Sequence, residues 1–169
     1  MHDPEELFPL IAEIRKKNIA EIVISVFCEV QEKRKDIDII VIPFTLVIPT
    51  SSTLIEHTNR VTGMAYQIGR SRGDLDLDLL IGGGLLHDVG KVMTYEKKGD
   101  GFVAGSLEKR LRHPFIGACL VAKHGNYDLT HIVYTHSHEG GGLTRSKEAI
   151  VINHCDFIDF EIEKRKVQA

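Results

Sequence analysis

Residues 79–86, Leu-Leu-Ile-Gly-Gly-Gly-Leu-Leu, carry no polar side chain and are followed at once by His87 and Asp88. A helix that is apolar all round has no face to offer water, so the rest of the chain must enclose it. Two ionisable groups then stand where an enclosed helix ends, and an ionised carboxylate in such a place is costly unless it is paired or bound to a cation. The run therefore demands both a fold with a buried central helix, expected over about residues 75–87 and stopping near Gly90, and a partner for Asp88.

The flanking sequence supplies what could wrap that helix. Leu7, Leu10, Ile11 and Ile14 recur at helical spacing and residues 19–30 are largely apolar, so the first 36 residues read as helical. Residues 37–48 are rich in β-branched side chains but are interrupted by Pro43 and closed by Pro49; they are expected as an extended segment or edge strand covering the bundle. Thr50, Ser51 and Ser52 offer capping hydroxyls to a helix with Leu54, His57, Val61, Ala65 and Ile68 on one face. Further helices are expected from Pro114 to Gly125, from a cap at Asp128 up to the glycines 140–142, and over residues 146–166, while residues 99–109 read as a long glycine-bearing loop. With no repeat or linker, the chain reads as one all-α helical bundle over residues 51–169, carrying a short helical and extended N-terminal extension, residues 1–50, packed on it.

Lys and Arg number 21 against 24 acids, and the formal charge of -3 gives no global attraction to nucleic acid or anionic membranes. The chain opens Met-His-Asp-Pro-Glu-Glu, without a basic, apolar leader, and its apolar stretches are too short to span a bilayer. Cys28, Cys119 and Cys155 form no paired metal spacing and read as small core residues in a reducing compartment. A soluble cytoplasmic protein is expected.

Nine histidines are the compositional oddity. His57 shares a helical stripe with Leu54 and Val61 and points inward; taken alone, it is most simply a hydrogen-bonded core residue. Asp156 sits among Ile150, Val151, Ile152, Phe157 and Ile158, a second carboxylate in apolar surroundings. His113 immediately precedes a helix start and His136 ends an apolar helix. Five elements thus each present nitrogen or carboxylate ligands to a common interior. Imidazole and carboxylate without thiolate suit a divalent transition metal such as Mn, Fe, Co, Ni or Zn. His57, His87, Asp88 and Asp156 could fill one site, with Asp88 bridging to a second completed by His113 and His136; the spacing alone leaves one ion and two ions open. His2 and His124 read as solvated, His131 and His154 as surface or packing residues, and His138, beside Glu139, as either a loop residue or one that orients a ligand.

Leu86-His87-Asp88-Val89-Gly90-Lys91, with His57 upstream and Asp156 downstream, resembles the HD-domain superfamily of metal-dependent phosphohydrolases. His113 before Pro-Phe-Ile-Gly-Ala and His136 in Thr-His-Ser-His-Glu-Gly look like the extra ligands of its two-metal members. The resemblance covers about residues 51–163, and the local text is most similar to the HD domain of bacterial 3′-to-5′ exoribonucleases. It departs from them in the N-terminal 50 residues, which read as too short and too helical for an OB-fold, and no Gly-Tyr-Pro follows glycines 140–142, against cyclic dinucleotide hydrolysis.

The resemblance implies an HD-domain helical bundle that cleaves a phosphate mono- or diester, a nucleotide or other small ester, with metal-activated water. Asp88 and Lys91 are the expected catalytic residues, Lys91 steadying a phosphoryl oxygen. Arg60, three residues after His57, is a second candidate anchor, and Arg145 or Lys147 a third. Expected partners are a small phosphorylated substrate and no membrane; nucleic acid draws no support from charge, and an oligomer is allowed. Two rivals remain: an HD-type di-iron oxygenase, and a metal-binding regulator without turnover.

Overall fold

A computed structural model describes residues 1–168. The apolar run forms α4 (Leu77–Leu86), capped by Asp76, whose carboxylate accepts from the backbone N–H groups of Asp78 and Leu79. Its three glycines explain how it can be enclosed. A Cβ on Gly82 would meet Ile19 at 2.8 Å, one on Gly83 would meet Ile132 at 2.6 Å, and one on Gly84 would meet Thr62 at 2.8 Å. Each therefore admits a different neighbouring helix: α2 (Lys17–Lys33), α8 (Tyr127–Thr135) and α3 (Leu54–Arg72). The fourth side of α4 is closed by α9 (Lys147–Val167).

Around this axis the helices start where short polar side chains can satisfy free N–H groups. α3 begins with a reciprocal capping box between Thr53 and Glu56, a residue later than the hydroxyls expected to cap it. Asn126 rather than Asp128 caps α8, its side chain accepting from Leu129 N–H at 3.0 Å. Ser146 caps α9, and Pro114 occupies the first turn of α7 (His113–Ala122).

Three segments differ from expectation. The N-terminal 36 residues are not one helical stretch: α1 (Pro4–Leu7) is followed by a 3₁₀ turn at Pro9–Glu13, and the backbone N–H groups of Arg15 and Lys16 donate to Asp78 before α2 begins. Residues 37–48 form no edge strand. They hold a 3₁₀ turn at Ile39–Val41 and a single bridge between Pro43 and Thr53, because proline has no N–H to extend a ladder. Past His87 the chain bends and resumes as α5 (Gly90–Thr94), and the expected loop over residues 99–109 is ordered structure. β1 (Tyr95–Lys98) pairs antiparallel with β2 (Gly101–Ala104) across the two-residue turn Gly99-Asp100, and α6 (Ser106–Leu111) follows. Gly99 has φ +60°, the left-handed backbone such a turn uses.

The extension is part of the main core. Phe8, Val23, Val26, Val30 and Ile42 join Leu54, Leu85, Leu86, Val89, Val121 and Leu129 in one buried cluster. A second cluster sets Val61, Ala65 and Leu80 against Ile132, Ala149, Ile152 and Cys155. Cys155 is thus a core residue, whereas Cys119 is exposed. Among the described residues no helix is long and apolar enough to cross a membrane.

Candidate metal centre

The enclosed helix ends against four neighbours, and each brings a polar group to the same point. α3 carries His57, the end of α4 carries His87 and then Asp88, α7 opens on His113, His136 follows the last residue of α8, and α9 carries Asp156. His57, His87, Asp88 and His136 are buried; the side chains of His113 and Asp156 are 12% and 19% exposed, at the rim.

Each imidazole has its far nitrogen fixed. His87 Nδ1 lies 2.6 Å from the carbonyl of Gly84 and His136 Nδ1 lies 2.6 Å from that of Val133. A carbonyl only accepts, so both Nδ1 atoms carry the proton and both Nε2 atoms present a lone pair. His57 Nδ1 meets Asp159 Oδ2 at 2.7 Å, and His113 Nδ1 meets Glu108 Oε1 at 3.3 Å. Carboxylates and carbonyls behind the rings are the usual means of aiming imidazole at a metal.

The aimed nitrogens divide Asp88 between them. Its Oδ2 lies 3.5 Å from His57 Nε2 and 3.4 Å from His87 Nε2, while its Oδ1 lies 3.2 Å from His113 Nε2 and 3.4 Å from His136 Nε2. The two triads, His57 with His87 and Asp88, and Asp88 with His113 and His136, each bring their ligand atoms within 4.8 Å of one another. Asp156 Oδ1 stands 3.1 Å from His57 Nε2.

Two observations test whether a cation fits. His57 Nε2 and His87 Nε2 face each other at 3.3 Å, and Asp88 Oδ1 is buried without a hydrogen-bond partner among the described residues. Converging lone pairs beside an orphaned carboxylate oxygen repel unless a positive charge lies between them. Nitrogen and oxygen donors without sulfur fit a borderline divalent metal.

The charges at the centre follow the same layout. Burial would raise the Asp88 carboxyl, but Lys91, His87 and the rings of His113 and His136 hold it well below the usual carboxylate range. Burial would lower Lys91; Asp88 outweighs that and raises it. Lys91 Nζ donates to Asp88 Oδ2 at 2.5 Å and to the Phe44 carbonyl at 2.7 Å, and the Phe44 ring stacks on His57 at 4.6 Å. Residues 37–48 thus cover the centre through Phe44. Burial lowers His57 and His113 in the same way, yet Asp156 and Asp159 raise the first, and Asp88 and Glu108 the second.

A cavity of about 250 Å³ opens over the centre, lined by the polar side chains of Asp88, Lys91, His113, His136 and Asp156 and by the apolar ones of Phe44, Val47, Phe157 and Phe160. A smaller one, about 200 Å³, adjoins it between Thr45, Tyr95 and Glu108. Of the expected phosphate anchors, Lys91 lines both cavities. Arg60 is turned away: its Nε and Nη2 grip Asp159 at 2.6 and 2.8 Å. Arg145 donates to the carbonyls of Thr135 and Ser137 at 2.6 and 2.8 Å, and Lys147 to that of Asp74 at 2.5 Å. The groups that hold Arg60 and Lys147 are supplied by distant parts of the chain, 99 and 73 positions away, and those that hold Arg145 by residues 10 and 8 positions before it, none of which spacing along a helix reveals.

Among the residues that sequence reasoning missed, with Glu108 behind His113, is Asp159. It lies three residues beyond Asp156 on the same face of α9, is itself buried, and its carboxyl falls to about 2 because His57 and Arg60 outweigh the cost of burial. The burial argument made for Asp156 applied to it equally. Asp159→Asn, which keeps the shape but loses the charge behind His57, is expected to weaken manganese binding about 10–100-fold while the helical spectrum stays unchanged. Titration calorimetry measures this, and an unaltered affinity would show that Asp159 does not aim His57.

The other histidines divide between surface and support. His124 and His154 are exposed, and His138, with a side chain 77% exposed, touches Glu139 at 3.2 Å. His131 Nε2 accepts from the N–H of Ser146 at 3.1 Å. His2 is not free in solvent; its Nε2 meets Asp38 at 2.8 Å.

No curated protein and no solved structure matches the chain. The family model of the HD domain matches residues 54–160, a span that contains all six of the convergent histidine and aspartate side chains. The chain belongs to the HD domain family, within the superfamily of metal-dependent phosphohydrolases.

Proposed function

We propose that this protein hydrolyses a small phosphate mono- or diester, of nucleotide type, using two divalent transition-metal ions. His57, His87, Asp88 and Asp156 would hold one ion, and Asp88, His113 and His136 the other. The observation that carries this reading is the division of Asp88, one oxygen toward each histidine pair. When bound, the ions supply Lewis acidity toward a phosphoryl oxygen and lower the pKa of water.

The chain's own groups do the rest. Lys91 keeps Asp88 ionised and brings a positive charge to the cavity floor, where phosphoryl oxygens would lie. Val47, Phe157 and Phe160 add apolar lining, suited to the weakly polar face of the ester's alcohol. The cavity of about 250 Å³ lies below the roughly 300–1,000 Å³ of ordinary ligand pockets. It admits a phosphoryl group and part of its alcohol, which suits a small ester. The likeness of the local text to exoribonuclease HD domains supports a nucleotide-type ester within that limit.

Manganese-loaded protein offered p-nitrophenyl phosphate, bis-p-nitrophenyl phosphate and nucleoside monophosphates, in air and without oxygen, tests this. Phosphate or p-nitrophenol released equally in both atmospheres is the expected result. Turnover only in air would point to an oxygenase, and a loaded but silent protein to a regulator; either would overturn the reading.

A further inference from the structure

Arg112 is the one non-glycine residue among those described with positive φ, at φ +62° and ψ +150°. This backbone region is essentially reserved for glycine, and a side chain held there stores strain. Arg112 is the joint at which α6 ends and α7 begins, directly before His113. Glycine would make such a joint without strain, so the joint itself gives no reason for a guanidinium there.

Arg112 lines both cavities. Its Nε donates to Glu139 Oε1 at 2.8 Å and lies 3.6 Å from Glu108 Oε1, while its terminal nitrogens make no hydrogen bond among the described residues. The side chain is half exposed. Lys91 and Arg112 are the two Lys or Arg side chains on the larger cavity, and Lys91 is already bound to Asp88 and Phe44. Glu139 does not depend on Arg112 alone: Ser137 Oγ donates to it at 2.6 Å and His138 Nδ1 lies 3.2 Å away.

We propose that Arg112 is the phosphate-recognition residue of this site, held in place by Glu139 until a phosphate enters and then exchanging that carboxylate for the ligand's oxygens. The planar fork suits bidentate contact with a phosphoryl group, its terminal nitrogens are without a hydrogen-bond partner among the described residues, and Arg112 lines the cavity such a group would enter. Ser137 and His138 both meet Oε2 of Glu139, so when the guanidinium leaves Oε1 the carboxylate still keeps those two contacts. The inference rests on the phosphohydrolase reading and assigns the specificity within it.

Binding of inorganic phosphate to manganese-loaded protein, followed by calorimetry, tests the exchange without requiring turnover. Arg112→Gln is expected to weaken phosphate binding roughly 10–100-fold, the loss of a charge-assisted contact. Glu139→Gln is expected to tighten it about two- to fivefold by releasing Arg112 from a surface ion pair. Arg112→Gly, which also removes the backbone strain, should weaken phosphate as Arg112→Gln does, with manganese content and helical spectrum as in the wild type. A merely structural bridge would make the glutamine variants weaken phosphate alike, and that result would overturn the proposal. So would unchanged binding in Arg112→Gln, although the hydrolase reading survives if wild-type protein still binds phosphate. Wild-type protein that takes no phosphate at millimolar concentration overturns the proposal and that reading together.

Discussion

Asp88→Ala is expected to disable both halves of the centre at once. Each oxygen of this carboxylate faces its own pair of histidine nitrogens, so no other single side chain is common to both triads. Metal affinity should fall by more than the roughly hundredfold that follows loss of an outer hydrogen-bond partner, and ester hydrolysis should fall with it. The variant also leaves Lys91 buried with only the Phe44 carbonyl, and breaking a buried pair from one side costs about 3–5 kcal/mol. Asp88→Asn separates the two effects. It keeps the volume and an oxygen toward Lys91, so it should remain folded by circular dichroism and still fail to bind metal tightly. Wild-type metal affinity in Asp88→Asn would contradict the bridging assignment.

Gly90→Ala is expected to have the largest effect on the fold. A Cβ at this position would stand 2.1 Å from the His113 carbonyl oxygen and 2.8 Å from the Gly117 backbone nitrogen. Both are backbone atoms of α7, so no side chain can rotate aside; α7 must move, and it carries His113 with it. The cost is about 3 kcal/mol or more, at the upper end of overpacking, together with loss of the His113–Asp88 approach. Gly69 gives the contrast: its Cβ would meet the ends of the Leu80 and Leu77 side chains, which can turn away. Urea unfolding should therefore show a large fall in stability for Gly90→Ala and a smaller one for Gly69→Ala. Equal effects would show that the α5–α7 crossing is not held by close backbone approach.

The residues easiest to read in the sequence were those whose chemistry conflicts with their surroundings. His87, Asp88 and Asp156 stand out because ionisable groups interrupt apolar runs, and His57 because it lies on an inward stripe. The structure brings them together with His113 and His136 at the end of α4. The hairpin at β1 and β2 was harder to read, because Glu96, Lys97 and Lys98 are all exposed and give no alternation, even though Gly99-Asp100 is a recognisable turn. Residues 37–48 mislead in the opposite way: their β-branched composition suits a strand, yet Pro43 and the lack of a partner strand leave a 3₁₀ turn and a cover. Arg60 illustrates what helical spacing leaves out. Three residues from His57, it shares that residue's face, but its destination is a carboxylate 99 positions away in the chain. The strain at Arg112 is a backbone property that residue identity does not announce.

The central claim is that one aspartate joins two metal positions, and metal content per chain tests it most directly. Metal-free protein loaded with excess manganese, freed of unbound ion by gel filtration and assayed by plasma mass spectrometry, should retain close to two ions per chain. Protein that retains one ion or none while keeping its helical spectrum would contradict the account.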